Sequence, residues 1–137
     1  MSVKSKYKTD SKRVQEGVWF DLDKNTDGSL CRVKLRRAGR GNPHWSKAMR
    51  EHTANVDMET ITPEEDEILT ANVFAEANVV EWENFQPEDD GGNLEFNLDN
   101  VKMILTDPEW IDLLKDLQNK ANGITSFQKK REGEAKN

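Results

Sequence analysis

The chain has 137 residues and a formal net charge of −6, with 34% charged and 34% hydrophobic residues and a single cysteine. This length suits one domain, which buries about two thirds of the surface its unfolded form exposes, and so polar a balance implies a thin core with loose termini. Cys31 alone excludes an intramolecular disulfide, no apolar run approaches the ~20 residues of a membrane-spanning helix, and Met1 to Lys8 has no apolar signal core, so a protein of the reducing cytoplasm with no membrane partner is expected.

Residues 1–16 are lysine-rich and nearly free of large apolar groups, and are expected to form a flexible basic arm. Val18, Phe20 and Leu22 then alternate with Trp19 and Asp21. After Asn25-Thr-Asp-Gly28, Cys31, Val33 and Leu35 alternate with Arg32, Lys34 and Arg36. This spacing predicts a β-hairpin with one apolar and one basic face. Asn42 and Pro43 open a helical stretch through about Val56, on which Trp45, Met49, His52 and Val56 share a face. A firmer start stands at Thr62-Pro-Glu-Glu65: a capping threonine, a proline at the first helical position and a glutamate placed for a capping box. Ile68, Ala71, Ala75 and Val79 form the apolar face of this helix, widened by Leu69 and Val73, and it is expected to run into Trp82-Glu83. Beyond the polar turn Asp89-Asp90-Gly91-Gly92, Leu94 and Phe96 read as extended and Asn97 caps a short helix through Leu105. Thr106-Asp-Pro-Glu109 starts a last helix carrying Trp110, Leu113, Leu114, Leu117 and Ala121 and ending at Gly123. A flexible charged tail is expected over 128–137. The fold class is therefore α+β and predominantly helical: an N-terminal β-hairpin packed on a small bundle of about four helices, in one domain over 17–127.

The charge is divided unevenly. Residues 1–52 hold 13 Lys and Arg against 6 Asp and Glu, a balance of +7, whereas residues 53–137 hold 7 against 20, or −13. Such asymmetry favours contact with a charged partner or with another copy of the chain. The basic run Arg32, Lys34, Arg36, Arg37 and Arg40, with Trp19 and Trp45 near it in sequence, has the residue types that contact phosphates and stack on bases, but the acidic remainder repels nucleic acid. Asp23-Lys-Asn25-Thr-Asp27-Gly28 matches the opening of a calcium loop. Lys34 stands where a bidentate glutamate is required, so an ordinary hairpin turn is expected. His44 and His52 with one cysteine do not match a zinc spacing. No nucleophile elbow, phosphate-binding glycine loop or metalloprotease motif is present. Neither catalytic residues nor a cofactor or metal is expected.

The order of these parts is itself specific. A hairpin enters Arg32-Val-Lys-Leu-Arg36, Gly41-Asn-Pro43 opens a helix, and an acidic helix runs into Val80-Glu-Trp82-Glu-Asn84. Glu88-Asp-Asp-Gly91, Leu94-Glu-Phe96, Leu98-Asp-Asn100-Val101 and Ile104-Leu105 follow, and the helix from Pro108 leads to Ala121-Asn122 and Phe127. In this order the chain resembles the tail assembly chaperones of long-tailed bacteriophages over roughly residues 17–127. It departs from them at Asn84, where glycine is the usual residue, and at Asn97-Leu98 in place of a small residue and proline. The resemblance implies a non-enzymatic protein of the host cytoplasm, absent from the mature virion, that binds and solubilises the tape measure protein and promotes assembly of tail tube protein around it. It also implies a longer form made by ribosomal frameshifting, with which Lys129-Lys130 is compatible, while the charge asymmetry is what points to self-association. A partner contact is expected on the last helix and tail, at Trp110, Leu114, Leu117 and Phe127, with Trp82 and Phe85 assigned to the core. The alternative is a small nucleic-acid-binding protein using the basic hairpin.

Overall fold

A computed structural model of the chain describes residues 2–39, 41–123 and 125–127. Helices α1 (Val3–Tyr7) and α2 (Ser11–Glu16) precede strands β1 (Val18–Lys24) and β2 (Leu30–Leu35). Helices α3 (Pro43–Thr53) and α4 (Pro63–Ala77), strand β3 (Val79–Glu83), and helices α5 (Leu98–Leu105) and α6 (Ile111–Ala121) follow. A 3-10 turn at Pro108–Trp110 leads into α6, and another at Thr125–Phe127 comes after it. None of the described helices is long and apolar enough to cross a membrane.

The hairpin forms where the alternation places it, but the sheet has three strands in the order β1-β2-β3, both pairings antiparallel. The predicted helical run into Trp82-Glu83 is corrected: α4 stops at Ala77 and residues 79–83 pair with β2. Asn78 makes the break. Its side chain is fully buried and donates from Nδ2 to the Arg36 carbonyl, while its own carbonyl accepts from Arg36 N–H at 2.7 Å. Leaving that part-buried carbonyl just beyond β2 unpaired would cost about 1 kcal/mol, so the interaction favours the turn over another helical residue. β3 ends at Glu83, and the next residue, Asn84, is the one non-glycine residue with positive φ (54°) among those described. Asparagine tolerates this left-handed conformation better than most residues. The Asn84 amide also donates to the Leu30 carbonyl at 3.0 Å and fastens the turn to the hairpin.

One face of the sheet carries Phe20, Val33 and Trp82 in register, with Leu35 between Val18 and Val79. The core gathers Val33, Leu35, Val79 and Trp82 with Ala71, Phe74 and Ala75 of α4, Val101, Ile104 and Leu105 of α5, and Leu114, Leu117 and Ala121 of α6. The interleaved residues of α4, Leu69, Val73 and Ala77, pack with Ala48, Trp45 and Met49 of α3 in a second cluster. α4 is thus covered on two sides, and its alanines permit the close approach. Trp82 stacks on Phe85 at 4.7 Å, meets Phe96 edge-on at 5.4 Å and donates its indole N–H to the Leu94 carbonyl at 2.9 Å. Trp82 and Phe85 are core, as expected.

The predicted caps are present. Thr62 Oγ1 accepts from Glu65 N–H at 3.2 Å and donates to the Glu65 carboxylate at 3.0 Å, and Asn97 accepts from Asn100 N–H at 2.8 Å. The segment read as a flexible arm instead carries two helices, the second attached to the body. Val14 is buried, Asp10 N–H donates to the Phe127 carbonyl and Arg13 Nε to that of Ser126. Those acceptors lie at the far end of the sequence, so no local pattern reveals them. The expected tail over 128–137 lies outside the described residues.

Candidate interaction face

Two shallow grooves flank the corner where α5 turns into α6. The first lies between α4 and that corner, with a volume of about 300 Å³. One wall is Glu64, Glu67 and Ile68, which share a face because they are three and four positions apart on a helix. The floor and far wall are Leu105, Thr106, Asp107, Pro108, Ile111 and Leu114. The second, of about 520 Å³, is lined by Pro87, Glu88, Leu94, Met103, Ile104, Asp107, Glu109 and Trp110. Asp107 borders both, its carboxylate accepting from Glu109 N–H at 3.0 Å as the cap of the 3-10 turn. Among the described residues the linings hold five different carboxylates and no Lys, Arg or His. Ile68 is 49% exposed and Met103 55%. Ile68 belongs to the apolar stripe read from the sequence, yet the core does not take it up.

Trp110 lines the second groove and its ring lies 5.4 Å from that of Phe85. Leu114 forms part of the first groove's floor but is buried, 4% exposed. Leu117 and Phe127 are buried and line neither groove, Phe127 standing 6.4 Å from Phe20 under the hairpin. The four residues expected to form one contact surface are thus divided. Trp110 is partly buried against the core while lining the second groove, Leu114 is a floor, and Leu117 and Phe127 hold the fold together. Ile68, Glu64, Glu67 and Met103 were missed as contact candidates. The available signal was an apolar residue at the edge of its helical stripe, next to acids on the same face.

The basic run has a different fate. Arg32 lies between Asp21 of β1 and Glu83 of β3 in the sheet register, with Nε 3.0 Å from the Asp21 carboxylate, Nη1 3.7 Å from Glu83 and the guanidinium 4.9 Å from the centre of the Trp19 ring. Lys34 lies between Trp19 and Glu81. Arg36 Nε donates to the Gln15 carbonyl at 2.7 Å and Arg37 to Thr9 Oγ1 at 2.9 Å. Arg40 is outside the described residues. In the loop resembling a calcium site, hydrogen bonds from Gln86 and Ser29 hold the Asp27 carboxyl down at about 2. Asn25 donates to the Asn84 carbonyl and to Ser29 Oγ. These groups close a hairpin turn onto the β3 turn.

A third polar cluster joins helices. Glu76 of α4 receives His52 Nε2 of α3 at 2.8 Å and Lys102 Nζ of α5 at 2.7 Å. Burial works to raise the Glu76 carboxyl, but the hydrogen bonds and charges of Lys102 and His52 outweigh it and hold the group below its usual range.

Fold and surface together describe a small α+β protein with an open apolar groove bordered by acid. The family model for the YdaY prophage protein matches residues 41–137, and the chain belongs to that family; it is phage-derived. The matched stretch contains every residue lining the two grooves. No curated protein and no solved structure matches the chain.

Proposed function

We propose that this phage-derived protein is a tail assembly chaperone. It acts without catalysis in the host cytoplasm, covering apolar helical stripes of a tape measure protein until tail tube protein assembles around it, and it is absent from the finished virion. The observation that carries the proposal is the corner between α5 and α6, where the fold leaves an apolar groove open beside α4 and a more polar one next to it, and where the charged side chains lining both are, among the described residues, all carboxylates. Apolar surface of this kind suits a helix laid into a groove, and a net charge of −6 helps keep a complex dispersed. The order of sequence elements shared with tail assembly chaperones supports the choice of partner.

Nucleic-acid binding through the hairpin is the rival reading. It is weakened because Arg32, Arg36 and Arg37 already have acceptors within the chain. Co-expression with the tape measure protein of the same phage, followed by pull-down and a solubility assay, tests the proposal. A soluble complex that is lost when this chain is omitted supports it. A tape measure protein equally soluble with and without the chain overturns it, and salt-sensitive binding of DNA or RNA then favours the rival.

A further inference from the structure

Resting on that binding role, we propose that the groove between α4 and the α5–α6 corner takes a basic amphipathic helix: a partner segment whose apolar stripe is flanked by lysine or arginine. Three observations lead there. Ile68 is half exposed and Ile111 partly so, above the buried Leu105 and Leu114, so the site offers aliphatic surface of Ile68 and Ile111 that the core leaves uncovered. Glu64, Glu67, Ile68 and Pro108 are all exposed along the rim, so the groove is open along its length and suits a segment lying across it better than an enclosed small molecule.

The third observation is charge. Among the described residues, Glu64, Glu67 and Asp107 line the groove without a cation and Glu64 and Glu67 form no ion pair. The nearby Lys102 is committed to Glu76 at 2.7 Å. The neighbouring groove repeats the pattern with Glu88 and Glu109. A lysine or arginine on the edge of an apolar stripe lays its alkyl stem on Ile68 or Pro108 and brings its head to these carboxylates. An acidic helix, a nucleic acid or an anionic lipid surface meets repulsion at the same rim.

The test uses the full chain and two fluorescein-labelled helical peptides with the same leucine stripe, one flanked by lysine and the other by glutamate. Anisotropy titrations are expected to show the lysine peptide binding at least about tenfold more tightly than the glutamate peptide. Ile68→Ser is expected to weaken the lysine peptide by a similar factor, as is the double change Glu64→Lys with Glu67→Lys. Both variants are checked for an unchanged melting curve. Failure of the lysine peptide to bind, equal affinity for the two peptides, or indifference to both variants overturns the inference. Repeating tape measure co-expression with the same variants separates the two proposals. If wild type and variants solubilise it equally, the chaperone role stands and the groove falls. If the lysine peptide binds through the groove while the tape measure protein is not retained, the groove stands and the chaperone role falls.

Discussion

The outer face of the sheet and the corner between α5 and α6 both present charge beside large apolar side chains, and they differ in where the countercharge comes from. On the sheet, β3 sets Glu83 and Glu81 beside Arg32 and Lys34, while β1 adds Asp21 and the Trp19 ring. The fold answers its own cations. At the corner, Glu64, Glu67, Asp107, Glu88 and Glu109 surround Ile68, Met103 and Trp110, and no cation among the described residues lines either groove. A run of like charge in a sequence therefore points to a partner only after the opposing strand or helix has been counted.

The largest expected effect separates core from surface. Phe127 is fully buried under the hairpin, so Phe127→Ala should cost about 3–5 kcal/mol in urea unfolding. The fraction that remains folded should bind the lysine peptide as wild type does. Lost peptide affinity at full foldedness would move Phe127 to the contact surface and dissolve the distinction.

Next comes Glu76, a carboxylate that is answered from within, unlike those of the corner. Glu76→Gln leaves Lys102 and His52 without their anion and should cost about 2 kcal/mol at neutral pH. Its folded pKa lies below the ordinary value of 4.5, so its stabilisation is complete above that value and is lost as pH falls through the lowered one. Wild type should lose its advantage over Glu76→Gln on acidification below the ordinary value of 4.5, measured as converging melting temperatures. Curves that stay parallel through that window would mean that the three groups do not act as an ion network.

The hairpin, the capped starts at Thr62 and Asn97 and the aromatic core at Trp82 and Phe85 were readable because each is encoded by neighbours in sequence: alternation, a cap with its glutamate, a tight aromatic cluster. β3 was not readable. Ala71, Ala75 and Val79 keep a helical spacing up to the break, and Asn78 interrupts it through a bond to Arg36, 42 positions away. The β-branched pair Val79-Val80 was the local clue. Missing β3 also hid the role of Glu81 and Glu83, which made the hairpin look more cationic than it is. At the corner, Leu114 and Leu117 share a stripe with Trp110 in sequence, and only packing decides which of them the core consumes.

Arg32→Ala probes the sheet directly. The side chain is 34% exposed and its pairs are screened by solvent, so the cost should stay below about 1 kcal/mol and shrink further in high salt. Part of that cost is the contact with the Trp19 ring. Peptide binding at the corner should not change. If Arg32→Ala instead abolished binding of DNA at low salt, the sheet would be the functional face and the comparison would reverse.

The smallest stability effect belongs to Ile68→Ser, and it is the most discriminating. An isoleucine that contributed to the core would cost several kcal/mol on losing its side chain, whereas an exposed one away from caps and ion pairs should stay within about 0.5 kcal/mol of wild type. Ile68 is 49% exposed on a helix whose other apolar residues are buried in two clusters, which predicts an unchanged melting temperature with weakened peptide binding. A fall in both would return Ile68 to the core. Unchanged stability with unchanged binding would leave the groove without an occupant, because a residue that neither the fold nor the partner uses has no reason to distinguish isoleucine from serine.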